Sequence, residues 1–430
     1  MLTITEWQSL SKQEREQKLS RPQQACSLQA RVRDIINAVK NRGDEALFDF
    51  SREFDRIDLK ELKVPVEKIQ KAEINQKSMK ALKQAIENIR TYHQAMMPSE
   101  KRVQIAKGII IERIYRPIQK VGLYIPGGNN TPLVSSVLMQ AIPAEVAGCP
   151  TKILCTPPNS KGEIDSNLLV AARLCGIDTI YQIGGAQAIA AMAYGTESIS
   201  KMDKLFGPGN GYVTEAKIQV AADPKGAALD LPAGPSEVMV LADDEANPDF
   251  VAADLLAQAE HGIDSQVILI CKSVEFAKKV NQKITDLLPN LSRQKIIKDA
   301  LRFSMILVTA DRNEQVTIIN DYAPEHLIIN RSDANSWIEE ISSAGTIFLG
   351  PWGAETLGDY VTGSNHVLPT NGSARNQSGL STCDFLKAIS VQKISKEGLE
   401  TLSEAAQTLA LIEGLDAHAN AIKIRLNLEP

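Results

Sequence analysis

The run Val121-Gly-Leu-Tyr-Ile-Pro-Gly-Gly128 is an apolar strand that ends in a glycine turn, and residues 133–147 follow it with helical spacing. Strand, glycine turn and helix, in that order, make the unit from which parallel α/β sheets are assembled. Outward along the chain the unit recurs. Residues 152–156 read as a strand and 167–175 as a helix; 179–183 read as a strand, followed by Gly184-Gly185 and a helix at 186–194. Lys204-Leu-Phe206 then leads into Gly207-Pro-Gly-Asn-Gly211 and a further helix. A second alternating block opens with Glu237-Val-Met-Val-Leu241. It continues with a helix at 248–260, a strand at 266–271, a helix at 274–288 and strands at 305–309, 326–329 and 346–349. The expected fold class is α/β, with two open, mostly parallel, incomplete Rossmann-like domains. A helical arm is expected at 1–23, helical spacing marks 28–52 and 80–97, and the segment after Asp384 reads as a polar helical tail. Its best helix, 399–411, has one apolar face, which needs another surface such as a partner subunit.

Composition narrows the function. A chain of 430 residues that is 43% hydrophobic can bury a large core spread over several domains. Lys and Arg number 47 against 52 Asp and Glu, a net charge of −5, so the basic footprint of a nucleic-acid binder is missing. Cys26, Cys149, Cys155, Cys175, Cys271 and Cys383 are scattered through apolar segments without a C-x-x-C pair. That usage suits buried thiols in a reducing compartment. Residues 1–20 hold no apolar signal core, and no stretch nears the ~18 apolar residues of a membrane helix. The expected location is the cytoplasm, with no nucleic-acid and no membrane partner.

Only five histidines are present, and His261, His326, His366 and His418 all lie in the second half. In Gln258-Ala-Glu-His261-Gly262 the helix should stop at Gly262. Gln258 and His261 stand three apart on one helical face, whereas Glu260 is turned away by about 100°. Spacing favours Gln258 with His261, although charge favours Glu260 as a ligand. Asp359 and His366 lie in Gly358-Asp-Tyr-Val-Thr-Gly-Ser-Asn-His366, read as a loop, and offer a carboxylate and an imidazole to zinc or manganese. An Asp that merely caps a turn fits that stretch equally. Glu413 and His418 are about 140° apart on a helix and can share a site only if the chain bends near Gly414. In Ala323-Pro-Glu-His326-Leu-Ile-Ile329, Glu325-His326 sits where a loop enters a strand. Such a pair can move protons near neutral pH or simply cap the turn. Gly127-Gly128, Gly184-Gly185 and Gly207-Pro-Gly-Asn-Gly211 could hold phosphate at helix N-termini, but no G-x-G-x-x-G occurs.

Taken in order, several long runs resemble the histidinol dehydrogenase family. They are 121–128, Gly184-Gly-Ala-Gln-Ala188, Phe206-Gly-Pro-Gly-Asn210, Asp230-Leu-Pro-Ala-Gly-Pro-Ser-Glu237 and Asp254-Leu-Leu-Ala-Gln-Ala-Glu-His-Gly262. Ala323-Pro-Glu-His-Leu327, Gly358-Asp-Tyr360, Asn365-His-Val-Leu-Pro-Thr370 and Glu413-Gly-Leu-Asp-Ala-His418 complete the set. Trp352-Gly-Ala-Glu355 departs from it, with Ala where the family has Pro.

The resemblance implies an NAD-linked, zinc-dependent, four-electron oxidation of L-histidinol to L-histidine through L-histidinaldehyde, the last two steps of histidine biosynthesis. It implies one zinc per subunit, or manganese in its place, held by Gln258, His261, Asp359 and His418. His326 is then the general base and Glu325 activates water. Ser236, His366 and Glu413 join Gln258, His261, His326, Asp359 and His418 around the substrate. Tyr124, Gln187 and Asn210 contact NAD. The implied division is an arm at 1–23, a first α/β domain at 24–120 plus 238–381 with the metal and catalytic residues, a second on the NAD side at 121–237, and a tail at 382–430. In the family that tail reaches the neighbouring subunit's site, so an intertwined homodimer is expected. A metal-dependent hydrolase built on the same Glu, His and Asp residues is the main competing reading, and a metal-stabilised binding protein the second.

Overall fold

Strand Glu237–Ala242 is buried at every position, as a strand covered by helices on both faces must be. Val238, Val240 and Ala242 point to one apolar layer, Met239 and Leu241 to the other. It lies in a six-stranded, wholly parallel sheet ordered Thr3–Glu6, Met305–Val308, Gln266–Cys271, Glu237–Ala242, His326–Asn330, Thr346–Leu349. Helices Pro248–Ala259, Val274–Leu287 and Gln294–Ala300 cover one face. Helix Arg312–Tyr322 and Trp337 cover the other. The chain is described here by a computed structural model for residues 1–21, 28–128, 131–231 and 234–427.

Strand Lys120–Tyr124 lies in a second parallel sheet, of five strands, ordered Ala228–Leu229, Lys204–Phe206, Lys120–Tyr124, Thr151–Cys155, Ile180–Tyr181. Helices Gln76–Ala95, Val134–Val146 and Ser166–Leu174 fill one face. Helices Leu28–Arg42, Asp44–Phe50, Gly185–Tyr194 and Gly211–Ala222 fill the other. The expected α/β class with two parallel sheets is therefore what the chain adopts.

Three features differ from expectation. Residues 28–95 pack on the five-stranded sheet, not on the six-stranded one with which 24–120 was grouped. Val32, Ile35, Ile36 and Val39 of helix Leu28–Arg42 find small-residue grooves on the alanine-rich helix Gly185–Tyr194. The arm at 1–23 is not wholly helical. Thr3–Glu6 is the edge strand of the large sheet, with the Asn281 side chain bonding both Leu2 N–H and Leu2 C=O. After a 3₁₀ turn at Trp7–Ser9, Lys12–Lys18 is α-helical, started by a Ser11–Glu14 capping box, and residues 22 and 23 lie outside the described residues. The tail begins with a strand, Leu386–Ile394, antiparallel to Ile109–Pro117, which also pairs with Lys101–Ala106. Helices Lys396–Ile412 and Asp416–Asn427 then pack on each other. Among the described residues no helix is long and apolar enough to cross a membrane.

Candidate active site

A cleft of about 280 Å³ lies between the two sheets. The five-stranded sheet faces it with the carboxyl ends of its strands. Pro126 follows strand Lys120–Tyr124, and Pro208 and Gly209 follow Lys204–Phe206. Helices Val134–Val146, Gly185–Tyr194 and Gly211–Ala222 begin at this end. Gly207 has φ 118°, and a Cβ there would lie 2.1 Å from the Tyr124 carbonyl oxygen, so only glycine permits this close crossing. Below the loop, Lys217 Nζ donates to the carbonyls of Gly207 (2.8 Å) and Leu231 (3.1 Å), and the Asp230 carboxylate accepts from Gly207 N–H at 2.8 Å. Lys217 and Asp230 also form an ion pair, with side chains 2% and 0% exposed.

The six-stranded sheet faces the cleft the other way round, with the amino ends of Glu237–Ala242 and His326–Asn330. Helices end here. Gln258 and His261 stand at the C-terminus of Pro248–Ala259, and Glu325 follows the C-terminus of Arg312–Tyr322. Asp359, expected in a loop, is in the last turn of helix Glu355–Tyr360; the glycine before it leaves room for the Phe348 ring, which a Cβ at 358 would strike at 2.5 Å.

His326 is the hub of a buried polar cluster. Its Nδ1 lies 3.0 Å from the Glu237 carbonyl, 3.3 Å from Gln258 Nε2, 3.5 Å from Glu325 Oε2 and 3.7 Å from Glu355 Oε1. A carbonyl can only accept, so Nδ1 carries a hydrogen. Nε2 is 3.5 Å from Asp359 Oδ1 and makes no hydrogen bond. Gln258 Oε1 and Glu355 Oε2 are likewise buried without a partner. Glu237 N–H donates to Glu325 Oε2 at 2.8 Å. His366 Nδ1 is 2.8 Å from the Asp359 carbonyl oxygen and its Nε2 is 3.5 Å from Ser136 Oγ.

Electrostatics follow from this crowding. Burial pushes Glu325 up, and burial with the charges of Asp359, Glu325 and Asp254 pushes Glu355 to about 8. Burial opposes charge on His326, but Glu355, Glu325 and Asp359 outweigh it and hold the ring well above its ordinary range. Asp359 is drawn down against its burial by His326, with His366 and His261 adding. Ligand atoms of His326, Glu355 and Asp359 all lie within 4.8 Å of one another. Excess buried negative charge beside orphaned oxygens is a donor set suited to a divalent cation.

Most of the residues singled out from sequence come together here. Ser236, His261, Glu325, His326, Asp359 and His366 line the cleft, and Gln258 touches His326. Tyr124, Gln187 and Asn210 stand at the carboxyl end of the five-stranded sheet. The Tyr124 hydroxyl accepts from Gly185 N–H at 3.0 Å, Gln187 is in the first turn of its helix, and Asn210 Oδ1 caps the helix it precedes. Glu413 and His418 do not join the cleft of their own chain; both are exposed at the junction of the tail helices. Sequence reasoning missed two groups. Glu355 was noted only for the Ala that stands before it, in a stretch read as a loop, and Glu237 only as the first residue of a strand; the Ala-Glu at 354–355 was the one available signal.

Two open parallel sheets facing one cleft, with a histidine ringed by buried carboxylates at its floor, define an α/β enzyme built for proton transfer. The chain matches the family model "Histidinol dehydrogenase" over residues 19–426. It is 61% identical to histidinol dehydrogenase of Legionella pneumophila over 427 residues, covering 99% of each. It is 47% identical to that of Vibrio parahaemolyticus, covering 98% of this chain and 97% of the relative. The crystal structure of histidinol dehydrogenase from Elizabethkingia anophelis superposes with a TM-score of 0.94 at 41% identity, covering 99% of this chain and 98% of that one. The chain belongs to the histidinol dehydrogenase family, a family of oxidoreductases.

Proposed function

We propose that this protein oxidises L-histidinol to L-histidine through L-histidinaldehyde, with NAD as electron acceptor and a divalent cation, zinc or manganese, in the cleft. One observation carries the reading. His326, which lines the cleft, has its Nδ1 tied to a carbonyl and its Nε2 buried without a partner, beside a carboxylate held by a backbone amide. Each oxidation removes a hydride and a proton from the substrate. With a bound cation offsetting the charges of Glu355 and Asp359 that otherwise keep the ring protonated, His326 would be neutral, and its Nε2 takes the proton from the carbinol hydroxyl and later from the hydrated aldehyde. Glu325, adjacent and raised by burial, takes a proton from the water that adds to the aldehyde between the two oxidations.

Gln258, His261 and Asp359 would hold the cation, and the orphaned Gln258 Oε1 fits that role. When bound, the cation supplies a template for the substrate's imidazole and amino nitrogens. NAD supplies the hydride acceptor. Tyr124, Gln187 and Asn210 would flank it, where three helix N-termini favour its pyrophosphate. Ser236 and His366 would contact the substrate from the wall of the cleft.

Glu413 and His418 would act in the neighbouring subunit of a homodimer. Support comes from their exposure on a helix pair that leaves Leu409, Leu411, Ile412 and Leu415 in solvent. A His418→Ala chain mixed with a His326→Ala chain should then regain part of the activity in heterodimers; no rescue places His418 in its own chain's site. The direct test of the reaction is NADH absorbance with L-histidinol. Two NADH per histidinol, lost on chelation and restored by Zn²⁺, is expected. Chelator-sensitive turnover of another substrate without nicotinamide would favour a hydrolase, and no NADH at all would overturn the proposal.

A further inference from the structure

We propose that Arg21, on the N-terminal arm and outside the cleft, is a positioning residue for the Glu325–His326 pair, acting through Glu237. The inference rests on the oxidoreductase reading above. Glu237 spends its backbone on the pair: its N–H holds Glu325 Oε2 at 2.8 Å and its carbonyl accepts from His326 Nδ1 at 3.0 Å. Its side chain does something else. Both carboxylate oxygens accept from Arg21, one from Nε and the other from Nη2 at 2.9 Å, and Oε1 also accepts from Asn371 N–H at 3.0 Å. The two side chains are 14% and 3% exposed, so this fork meets its carboxylate largely out of water.

Arg21 also grips the second segment of the pair. Its Nη2 donates to the Tyr322 carbonyl at 2.8 Å and lies 3.4 Å from that of Ala323, while the guanidinium stacks 3.9 Å over the Tyr322 ring. Tyr322-Ala323 is the end of the helix that delivers Glu325, and Ala323 turns the chain with φ 53°. One guanidinium thus fixes the strand whose backbone holds the pair and the turn that presents it. Arginine suits this task because its planar fork meets both oxygens of the carboxylate side by side while still reaching the carbonyl, a bidentate geometry that an ammonium does not offer. Without it, Glu237 is a buried carboxylate with one backbone donor, and it must take a proton or swing away. Either moves the backbone atoms that orient His326 and Glu325. Asn371 is on the loop that follows His366, so the same carboxylate also anchors the wall of the cleft.

The test uses the full-length protein with L-histidinol and NAD, comparing wild type, Arg21→Met, Arg21→Lys and Arg312→Met. Arg312 is the control, an arginine stacked 4.0 Å over Trp337 and paired with Glu340 on the same sheet face but away from the cleft. Misplacement of a catalytic pair by about 1 Å costs about 100-fold. Arg21→Met should therefore lower kcat about 100-fold with KM for NAD changed by less than about 2-fold, and Arg21→Lys should fall between it and wild type. Arg312→Met, at a comparable loss of melting temperature, should keep its kcat. An unchanged kcat in Arg21→Met, or equal kcat losses in Arg21→Met and Arg312→Met, overturns the inference. A readout independent of turnover is the imidazole ¹⁵N spectrum of the five histidines. The Nδ1–H signal of His326, assigned by its loss in His326→Gln, should shift in Arg21→Met and not in Arg312→Met. An unmoved signal overturns the inference even if the wild type yields no NADH, a result that would by itself refute only the reaction.

Discussion

The two sheets meet the cleft with opposite ends. Open parallel sheets ordinarily place ligands beyond the carboxyl ends of their strands, where helices begin. The five-stranded sheet obeys this: three helices begin at that end of it, and the starts of two of them, with the glycine loop, line the cleft. The six-stranded sheet presents the amino ends of its strands, and so the C-termini of helices Pro248–Ala259 and Arg312–Tyr322. Helix N-termini carry partial positive charge and C-termini partial negative charge. One wall is thus suited to an anion held by backbone, the other to a cation held by side chains. Buried acidic and basic groups follow the same division. Glu237, Glu325, His326, Glu355 and Asp359 all belong to the six-stranded side, while among the described residues the five-stranded half buries Lys217–Asp230 and His93 and otherwise neutral polar groups such as Gln140 and Gln187.

The strongest way to sharpen this contrast is to remove the base. His326→Gln should lower kcat by about 10³-fold or more without unfolding the protein, as steady-state kinetics and circular dichroism would show. Next in size is the buried ion pair Lys217–Asp230 on the other side. Lys217→Met leaves Asp230 buried and unpaired, so chemical denaturation should show a loss of about 3–5 kcal/mol, with a raised KM for NAD as the Gly207 loop loosens. A loss below about 1 kcal/mol would mean that water reaches Asp230 and that this wall is not dry.

His93 gives a pH-dependent test of the same wall. Burial holds it at about 4, against an ordinary value of 6.5, with Nδ1 3.2 Å from Thr382 Oγ1. The folded state binds the proton less readily than the unfolded chain does. Its stabilisation is complete above 6.5, falls as pH drops through that window and is gone below about 4, a total of roughly 3 kcal/mol. Stability measured from pH 7 to 4 should show this slope in the wild type and a flatter one in His93→Gln. The smallest effect concerns Glu355. If it supports the cation, Glu355→Gln should weaken metal retention by about 10–100-fold in chelator competition while the fold is kept. Unchanged retention would limit Glu355 to proton balance around His326.

Much of this was legible from the chain. Buried parallel strands are continuous apolar runs, and 237–242, 266–271 and 326–330 announce themselves. The Gln258–His261 pairing was read from helical spacing; His261 lines the cleft, while Gln258 is buried against His326. What escaped depends on partners far away in sequence. Thr3–Glu6 is short and half polar, and becomes a strand only because Met305–Val308 offers an edge. Leu386–Ile394 is mostly exposed, so burial leaves little periodicity to read. Glu237 and Glu355 are acidic residues at element starts, where acidic residues are common, and only the three-dimensional crowding around His326 marks them out. The grouping of 28–95 with the five-stranded sheet turned on which helix surface offers alanine grooves, a matter of fit between faces that spacing does not encode.

The edge strand Thr3–Glu6 also bears on how the chain is made. The strands of the five-stranded sheet run in one continuous stretch, from Lys120 to Leu229, and can pair as that stretch is synthesised. The first residues of the chain cannot settle so early, because Leu2 is bonded by Asn281, 279 positions later, and Thr3 pairs with Met305. Until then the amino terminus and Arg21 wait for a sheet that does not yet exist. Sites that depend on distant pairings close late. Emergence of the strand Met305–Val308 from the ribosome therefore sets the earliest moment at which the arm can dock, long after the five-stranded half has had the chance to fold.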